Sequence, residues 1–123
     1  MIVVWLDDER DPADPAWAAD VACPPGASVV WLTSVAAFTT WMSTHHADVV
    51  RVCFDNDLGG STPAEEGRAA FAWLEERCHL DGWGPFSLHV QSSNGPAAGS
   101  MRQGISALRR FWSAYATNTE SEP

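Results

Sequence analysis

Apolar residues fall into four short runs along the chain, and stretches with helical periodicity lie between them. The runs predict β-strands at Ile2–Leu6, Ser28–Leu32, Val49–Phe54 and residues 86–91. The first three are nearly continuous in β-branched, aromatic and other apolar residues, as in strands that are covered on both faces of a sheet. Strands that alternate with helical segments predict an α/β domain with a parallel sheet and crossover helices.

Capping residues mark the starts of the predicted helices. The sequence Thr-Pro-Ala-Glu at 62–65 offers an N-cap, a proline at the first helical position and a capping-box glutamate. A second helix can begin after Thr33 or Ser34, and a last one begins after the Gly-Pro pair at 95–96. Four prolines between residues 11 and 26 predict a loop there, with one or two helical turns around Trp17, because proline disfavours a long helix.

The length of 123 residues, of which 46% are hydrophobic, suffices for one core and not for two. We therefore predict one small, doubly wound, three-layer domain over residues 1–116, with a parallel sheet of about four strands in the order 2-1-3-4. Residues 117–123 are predicted to form a polar C-terminal tail.

The composition of the chain argues against several classes of protein, namely secreted, membrane-spanning and bulk-DNA-binding proteins. The apolar run Ile2–Leu6 stops at Asp7 and is too short for a signal peptide or a membrane span, so we expect a cytoplasmic protein without membrane contact. Cys23, Cys53 and Cys78 form no CxxC pair and are expected to be reduced thiols. The net charge of −9 and the absence of lysine argue against binding to bulk DNA, which requires many basic groups.

Polar clusters follow three of the four predicted strands. They are Asp7-Asp8-Glu9-Arg10 after the first strand, Asp55-Asn56-Asp57 after the third and Ser92-Ser93-Asn94 after the fourth. In open α/β sheets, ligands bind beyond the carboxyl ends of the strands, next to the point where the strand order reverses. The order 2-1-3-4 places the first and third strands side by side, so the three clusters are expected to meet.

The acidic residues of these clusters suit a divalent cation. Carboxylates that are held close together repel one another, and Mg²⁺ or Mn²⁺ relieves that repulsion by taking oxygen ligands. Asp7 or Asp8 together with Asp55 is the predicted metal site, and Asp57 is either a further ligand or a structural acceptor. The alternative is that these acids only form turns and helix caps, which is common at strand ends.

Phosphate is the predicted ligand of the other polar residues. Ser92, Ser93 and Asn94 precede a helix whose N-terminus favours anions. Arg10 and Arg102 are candidate phosphate clamps, with a surface salt bridge as the alternative for each. The glycine pair at 59–60 lacks the pattern of a P-loop or a dinucleotide-binding fingerprint, which argues against binding of ATP or NAD.

The strand-end acids resemble those of the receiver family, which has a flavodoxin-like fold and uses paired acids after strand one and an acid after strand three to bind Mg²⁺. Asp7, Asp8 and Asp55 match these positions, and Ser92 falls where the family keeps a serine or threonine. The family's lysine has no counterpart in this chain, and the sequence ends before a last strand-helix unit could form.

The motifs are more similar to those of the cyclic-phosphate processing receiver-like domains. The chain carries Asp-Asp-Glu-Arg at 7–10, Asp-Asn-Asp-Leu-Gly at 55–59, and Gln-Ser-Ser-Asn at 91–94 with Met101 beyond. Gly67 and the segment at 73–75 also look similar. Asn56 and Gln91 stand where this family has histidines, and amides cannot act as general acids or bases near neutral pH.

This resemblance implies metal-assisted processing of a cyclic phosphate or phosphoester on a nucleotide or RNA end, or on another phosphorylated small molecule. Asp8, Asp55 and Asp57 would be catalytic. The implied ligand-binding residues are Arg10, Asn56, Gln91, Ser92, Ser93, Asn94 and Arg102. Two alternatives remain: a non-catalytic module that sequesters a nucleotide-like ligand or docks a protein partner, and a receiver that accepts a phosphoryl group on Asp55.

Overall fold

A parallel sheet with strand order β2-β1-β3-β4 organises the chain. The computed structural model describes the backbone of residues 1–120 and the side chains of residues 1–115. Within that part of the chain the strands are β1 (Ile2–Leu6), β2 (Ser28–Leu32), β3 (Val49–Phe54) and β4 (Ser87–Val90), and the helices are α1 (Ala18–Val21), α2 (Val35–His45), α3 (Gly67–Asp81) and α4 (Gly95–Glu120). The predicted α/β fold and strand order are confirmed, and no fifth strand-helix unit occurs in the described residues.

The main core lies on the face of the sheet that α2, α3 and α4 cover. Alternate residues of the strands, such as Val4 and Leu6 in β1 and Phe54 in β3, point into it because side chains along a strand alternate between faces. Phe38 of α2 and Leu74 of α3 are fully buried against them. This thick layer fixes the positions of the loops that leave β1 and β3.

The opposite face of the sheet has a much thinner cover. Val3, Trp5 and Cys53 are buried there beneath Val21 of the short helix α1 and the half-buried Trp17. The proline-rich segment thus contributes a 3₁₀ turn at Pro15–Trp17 followed by α1, in agreement with the predicted turns around Trp17.

The edge strand β2 reaches beyond this thin layer. Trp31 and Val29 of β2 are 42% and 38% exposed, although the apolar sequence of β2 predicts a strand that is covered on both faces. The thinly covered face of the sheet therefore leaves the side chain of Trp31 exposed at its β2 edge.

The predicted start of α3 is wrong by several residues. Thr62 precedes a separate 3₁₀ turn at Pro63–Glu65, and its hydroxyl donates to the Glu65 carboxylate (2.9 Å) instead of capping the helix. Glu66 then has an extended backbone (φ −85°, ψ 152°), which interrupts any continuous helix. Helix α3 begins at Gly67 because its N–H donates to the main-chain oxygen of Asn56 (2.8 Å), a contact between segments that are distant in sequence.

The predicted start of α2 agrees with the structure, whereas α4 begins two residues before its predicted start. Ser34 caps α2, and its hydroxyl oxygen accepts a hydrogen bond from the N–H of Ala37 (3.1 Å). Helix α4 begins at Gly95 and continues to Glu120, so it includes residues 117–120 of the predicted tail, whereas residues 121–123 lie outside the described part of the chain. No helix among the described residues has the length and apolar character needed to cross a bilayer.

Candidate functional site

Three main-chain hydrogen bonds bring the predicted polar clusters to one edge of the sheet. The N–H of Asp7 donates to Leu32 (3.1 Å), that of Asp55 to Leu6 (2.9 Å), and that of Gln91 to Phe54 (3.0 Å). Each bond extends the strand pairing by one residue, so the segments that follow β1, β3 and β4 leave the sheet side by side. They enclose a cavity of about 330 Å³, whose lining residues are Asp8, Glu9, Arg10, Asp55, Asp57, Gly59 and Ser93.

Asp7 is fully buried beneath this cavity and organises the turn that follows β1. One carboxylate oxygen accepts hydrogen bonds from the N–H groups of Glu9 (3.0 Å) and Arg10 (2.9 Å), and the other accepts one from the Arg10 guanidinium (3.0 Å). Both oxygens are therefore already engaged within the protein. Its main role in this arrangement is to position Arg10.

Arg10 bridges the buried acids. Its Nη1 lies 3.0 Å from Asp7 and 3.4 Å from Asp55. The guanidinium also lies over the ring of Trp17, 5.1 Å from its centre, and the main-chain oxygen of Arg10 accepts a hydrogen bond from the indole of Trp5 (2.8 Å). Burial alone would lower the pKa of Arg10, but its hydrogen bond to Asp7 and the acidic charges raise that pKa, so the side chain is a fixed positive charge in the pocket.

Asp8 and Asp55 carry the carboxylates best placed to take a metal ion. Oxygens of Asp7, Asp8 and Asp55 all lie within 4.8 Å of one another. No donor among the described residues binds the Asp8 carboxylate, in contrast to that of Asp7. Burial, and next the charge of Asp7, raises the pKa of Asp55 against the opposing attraction of Arg10. This set of hard oxygen donors, whose repulsion Arg10 relieves only in part, fits Mg²⁺ or Mn²⁺.

Asn56 lies beneath the cavity and holds the start of α3. It is 1% exposed, and its side-chain oxygen accepts a hydrogen bond from the N–H of Arg68 (3.0 Å). Its amide nitrogen donates to the Asp57 carboxylate at 3.4 Å. The side chain predicted to bind ligand thus makes contacts within the protein, and its amide links the site to α3.

Gln91 occupies a comparable position at the end of β4. Its amide nitrogen donates to the main-chain oxygen of Leu6 (3.2 Å), and its side-chain oxygen is buried without a partner among the described residues. Neither Gln91 nor Asn56 lines the cavity. Asn56 lies between Asp55 and Asp57 in the chain, and Gln91 donates to the residue before Asp7, so both can affect the site through the acids.

The serine-rich segment contributes one residue to the cavity wall. Ser93 lines the cavity, whereas Ser92 is buried and its hydroxyl accepts a hydrogen bond from the N–H of Asn94 (3.1 Å). Asn94 caps α4 by accepting a hydrogen bond from the N–H of Ala97 (3.2 Å), and it reaches back to Asp57 (3.5 Å). This network joins the loops that follow β3 and β4.

Arg102 does not share the acidic cavity. Its guanidinium donates to the main-chain oxygen of Val90 (3.4 Å) and lines a separate groove beside β4. His89 also lies elsewhere, because its ring nitrogen is 2.8 Å from the carboxylate of Asp20 on the α1 side of the sheet.

Sequence reasoning missed two residues of the cavity. Glu9 lines it as a further carboxylate and could have been found from its place within the acidic cluster. Gly59 has a positive φ (75°), and a β-carbon there would lie 3.3 Å from the Asp8 carboxylate. Its small size keeps the wall of the cavity close to Asp8, and only the Asp-Leu-Gly spacing gave a sign of this.

Comparison with known proteins gave one family. The sequence model of the family described as cyclic-phosphate processing receiver domain matches residues 2–107. No curated protein and no solved structure matches the chain.

Proposed function

The chain belongs to the cyclic-phosphate processing receiver domain family, and we propose that it processes a cyclic phosphate or phosphoester on a nucleotide or RNA end with the help of Mg²⁺ or Mn²⁺. One observation carries this proposal. Among the described residues, four carboxylates, of Asp8, Glu9, Asp55 and Asp57, line the cavity together with a single guanidinium, that of Arg10.

The charge balance of the cavity determines how a phosphate could bind. Four carboxylates against one guanidinium give a negative cavity, which repels a phosphate group. A divalent ion reverses this balance, and in phosphoester chemistry such an ion polarises the phosphoryl oxygen and stabilises the charge that develops there. The acidic lining is therefore compatible with a phosphate ligand only when a cation enters with it.

The residues divide into three roles under this proposal. Asp8 and Asp55 hold the metal ion, because no donor among the described residues binds the Asp8 carboxylate and the guanidinium nearest to Asp55 is 3.4 Å away. Arg10 orients a phosphate oxygen and is itself held by Asp7 at 3.0 Å. Ser93 presents a hydroxyl from the wall of the cavity as a further donor to phosphate.

No histidine lines the cavity in the described part of the chain, so a carboxylate would have to transfer the proton. Asp57 is exposed at its rim and receives only long hydrogen bonds, from the amides of Asn56 (3.4 Å) and Asn94 (3.5 Å). It can therefore face a bound substrate and accept a proton as a general base. The two amides hold its orientation.

A titration of Mg²⁺ and Mn²⁺, followed by intrinsic tryptophan fluorescence, tests the metal site first. We expect saturable binding that is strongly weakened in Asp8→Asn and Asp55→Asn. Asp48→Asn is the matched control, because Asp48 is an exposed acid just before β3, at the opposite edge of the sheet. Hydrolysis of adenosine 2′,3′-cyclic phosphate with and without metal then tests turnover. Absence of metal binding by the wild type would overturn the proposal.

A non-catalytic binding module is the second candidate function. The observation that favours it is the use of Asn56 and Gln91, at the family's histidine positions, for contacts with Arg68 and Leu6 inside the protein. Under this reading the protein binds a cyclic phosphate with metal and releases it unchanged. Tight binding without product formation, with Asp57→Asn having no effect on ligand affinity, would favour this function over catalysis.

A further inference from the structure

An exposed tryptophan lies beside the acidic cavity. Several large apolar side chains are exposed among residues 1–115, and of these Trp31 is the nearest to the carboxyl edge of the sheet, as the penultimate residue of β2. Leu80, Phe111 and Tyr115 belong to the last turn of α3 and the later part of α4. A ring that is 42% exposed at this edge is available to a ligand that extends out of the cavity.

A hydrogen bond to the main chain at Asp7 holds the Trp31 ring in place. Its indole N–H donates to the main-chain oxygen of Asp7 at 2.6 Å, and Trp31 pairs in register with Trp5 of β1. Asp7 is bonded directly to Asp8, whose side chain lines the cavity. The ring is therefore one peptide unit from the proposed metal ligand, and its hydrogen bond restricts its rotation.

These features have a chemical consequence for the ligand. A flat, fixed aromatic ring binds another planar ring by stacking, and every nucleobase offers such a face. A neutral base is also compatible with the negative charge of the neighbouring cavity, whereas an acidic group is not. Trp31 does not line the cavity, so only a ligand larger than phosphate can contact both.

We propose that Trp31 is a stacking platform for the nucleobase of the substrate, which makes the substrate class a nucleoside cyclic phosphate or the terminal nucleotide of an RNA. This inference rests on the proposed function, because it places the phosphate in the acidic cavity. It makes Trp31 a specificity residue that distinguishes nucleotides from simple phosphoesters. Because stacking uses the face of the base, the platform accepts purines and pyrimidines alike, with larger rings bound more tightly.

The test compares two ligands in the presence of Mg²⁺. One is adenosine 2′,3′-cyclic phosphate, and the other is 1-O-methylribose 2′,3′-cyclic phosphate, which lacks the base. Binding is measured by calorimetry for the wild type, Trp31→Ala and Trp31→Phe. Val29→Ala is the matched control, because Val29 lies two residues earlier on the same strand face with similar exposure and has no ring. Thermal unfolding establishes that each variant is folded.

We expect Trp31→Ala to weaken binding of the adenosine compound by about 5- to 150-fold, the range typical of one base–aromatic stack, and to leave the ribose compound unchanged. Trp31→Phe should restore part of the loss, and Val29→Ala should change neither affinity. Bound adenosine should also quench tryptophan emission less in Trp31→Phe than in the wild type.

Two results would overturn the platform and leave the proposed function intact. One is equal affinity of the wild type for both ligands, and the other is an unchanged preference for adenosine in Trp31→Ala. In either case the phosphate site still binds and the base lies elsewhere, for example in the neighbouring groove between Ser34 and Glu65. Failure of the wild type to bind either ligand would overturn the proposed function together with the platform.

Discussion

The main-chain oxygen of Asp55 lies directly against Gly67, so that a β-carbon added to Gly67 would come within 1.6 Å of it. The next residue, Asn56, accepts hydrogen bonds from the main-chain N–H groups of Gly67 (2.8 Å) and Arg68 (3.0 Å). The end of β3 and the start of α3 are thus in direct contact. Any change at Gly67 moves the segment that presents Asp55.

Substitution of Gly67 by alanine should destabilise the protein by about 3 kcal/mol or more, because backbone at both sides of the contact must move. Gly99→Ala is the matched control, since Gly99 also lies in a helix and a β-carbon there meets nothing within 4 Å. The control should be neutral or more stable by roughly 0.5–1 kcal/mol. Urea unfolding measures both variants, and equal stability of the two would contradict the described contact.

Removal of Arg10 should lower the stability of the folded protein, because the buried acids lose the cation between them. Arg10→Ala leaves Asp7, which is fully buried, without its ion pair, and loss of one partner of a buried pair typically costs about 3–5 kcal/mol. Mg²⁺ should recover more stability in this variant than in the wild type, because the ion replaces the missing charge. Thermal unfolding with and without Mg²⁺ measures this difference.

Arg68→Ala is the control for that experiment. Its side chain is 52% exposed and lies 3.9 Å from Glu66, so the variant should lose at most a few tenths of a kcal/mol, as is usual for exposed pairs. A similar loss in both arginine variants would mean that the bridge between the acids adds nothing to stability.

Asp55→Asn should be more stable than the metal-free wild type at neutral pH. Burial and the charge of Asp7 raise the pKa of Asp55 above 3.8, so its ionised form lowers the stability of the folded state. That cost disappears as the pH falls through the raised pKa towards 3.8, and the advantage of the variant should shrink with it. Mg²⁺ should reverse the order by stabilising only the wild type.

The pH dependence is measured by thermal unfolding in metal-free buffers. Asp57→Asn serves as the control, because Asp57 is exposed and its replacement should leave stability nearly unchanged. A wild type more stable than Asp55→Asn at neutral pH without metal would contradict the inferred repulsion at this site.

Cysteine alkylation should distinguish one thiol from the other two. Burial raises the pKa of Cys53 to about 11 and that of Cys78 to about 12, whereas Cys23 is exposed. Since the thiolate is the reactive form, iodoacetamide at pH 8 should add one group to the native protein and three after unfolding in guanidinium. Mass spectrometry counts the groups, and peptide mapping should place the native one on Cys23. Rapid modification of Cys53 in the native protein would contradict its burial.

Local patterns in the sequence were sufficient to predict the strands, their order and the edge where the acids meet. The hydrophobic runs end at Asp7 and Asp55, and parallel pairing brings such ends together wherever the loops later turn. Ser34 was also predictable as a cap, because it contacts its own helix. Features that depend on neighbours in sequence or on strand alternation could therefore be predicted from the sequence.

Features that depend on tertiary contacts could not be predicted from the sequence. The start of α3 is fixed by a hydrogen bond between Gly67 and Asn56, across a loop whose path no pattern specifies. Arg102 turns towards Val90 and away from the acidic cavity, although its position after the serine-rich segment favoured a phosphate contact.

The exposure of the tryptophans also depends on tertiary packing. The two cores half-bury the side chains of Trp17, Trp83 and Trp112. Trp31 is the more exposed ring because the thin layer of α1 does not cover the edge strand. An apolar run such as that of β2 predicts a buried strand whether the strand lies at the centre or at the edge of a sheet.

The bridge that Arg10 makes between Asp7 and Asp55 would separate folding from the proposed binding of an ion. In a zinc finger the metal is required for folding, so an empty site means an unfolded chain. Here the protein supplies its own counter-charge and can fold around an acidic pocket before an ion arrives. Under the proposed function, the free concentration of the divalent ion would set the fraction of folded molecules that are competent for ligand, and the domain would act as a receptor that fills and empties without losing its structure.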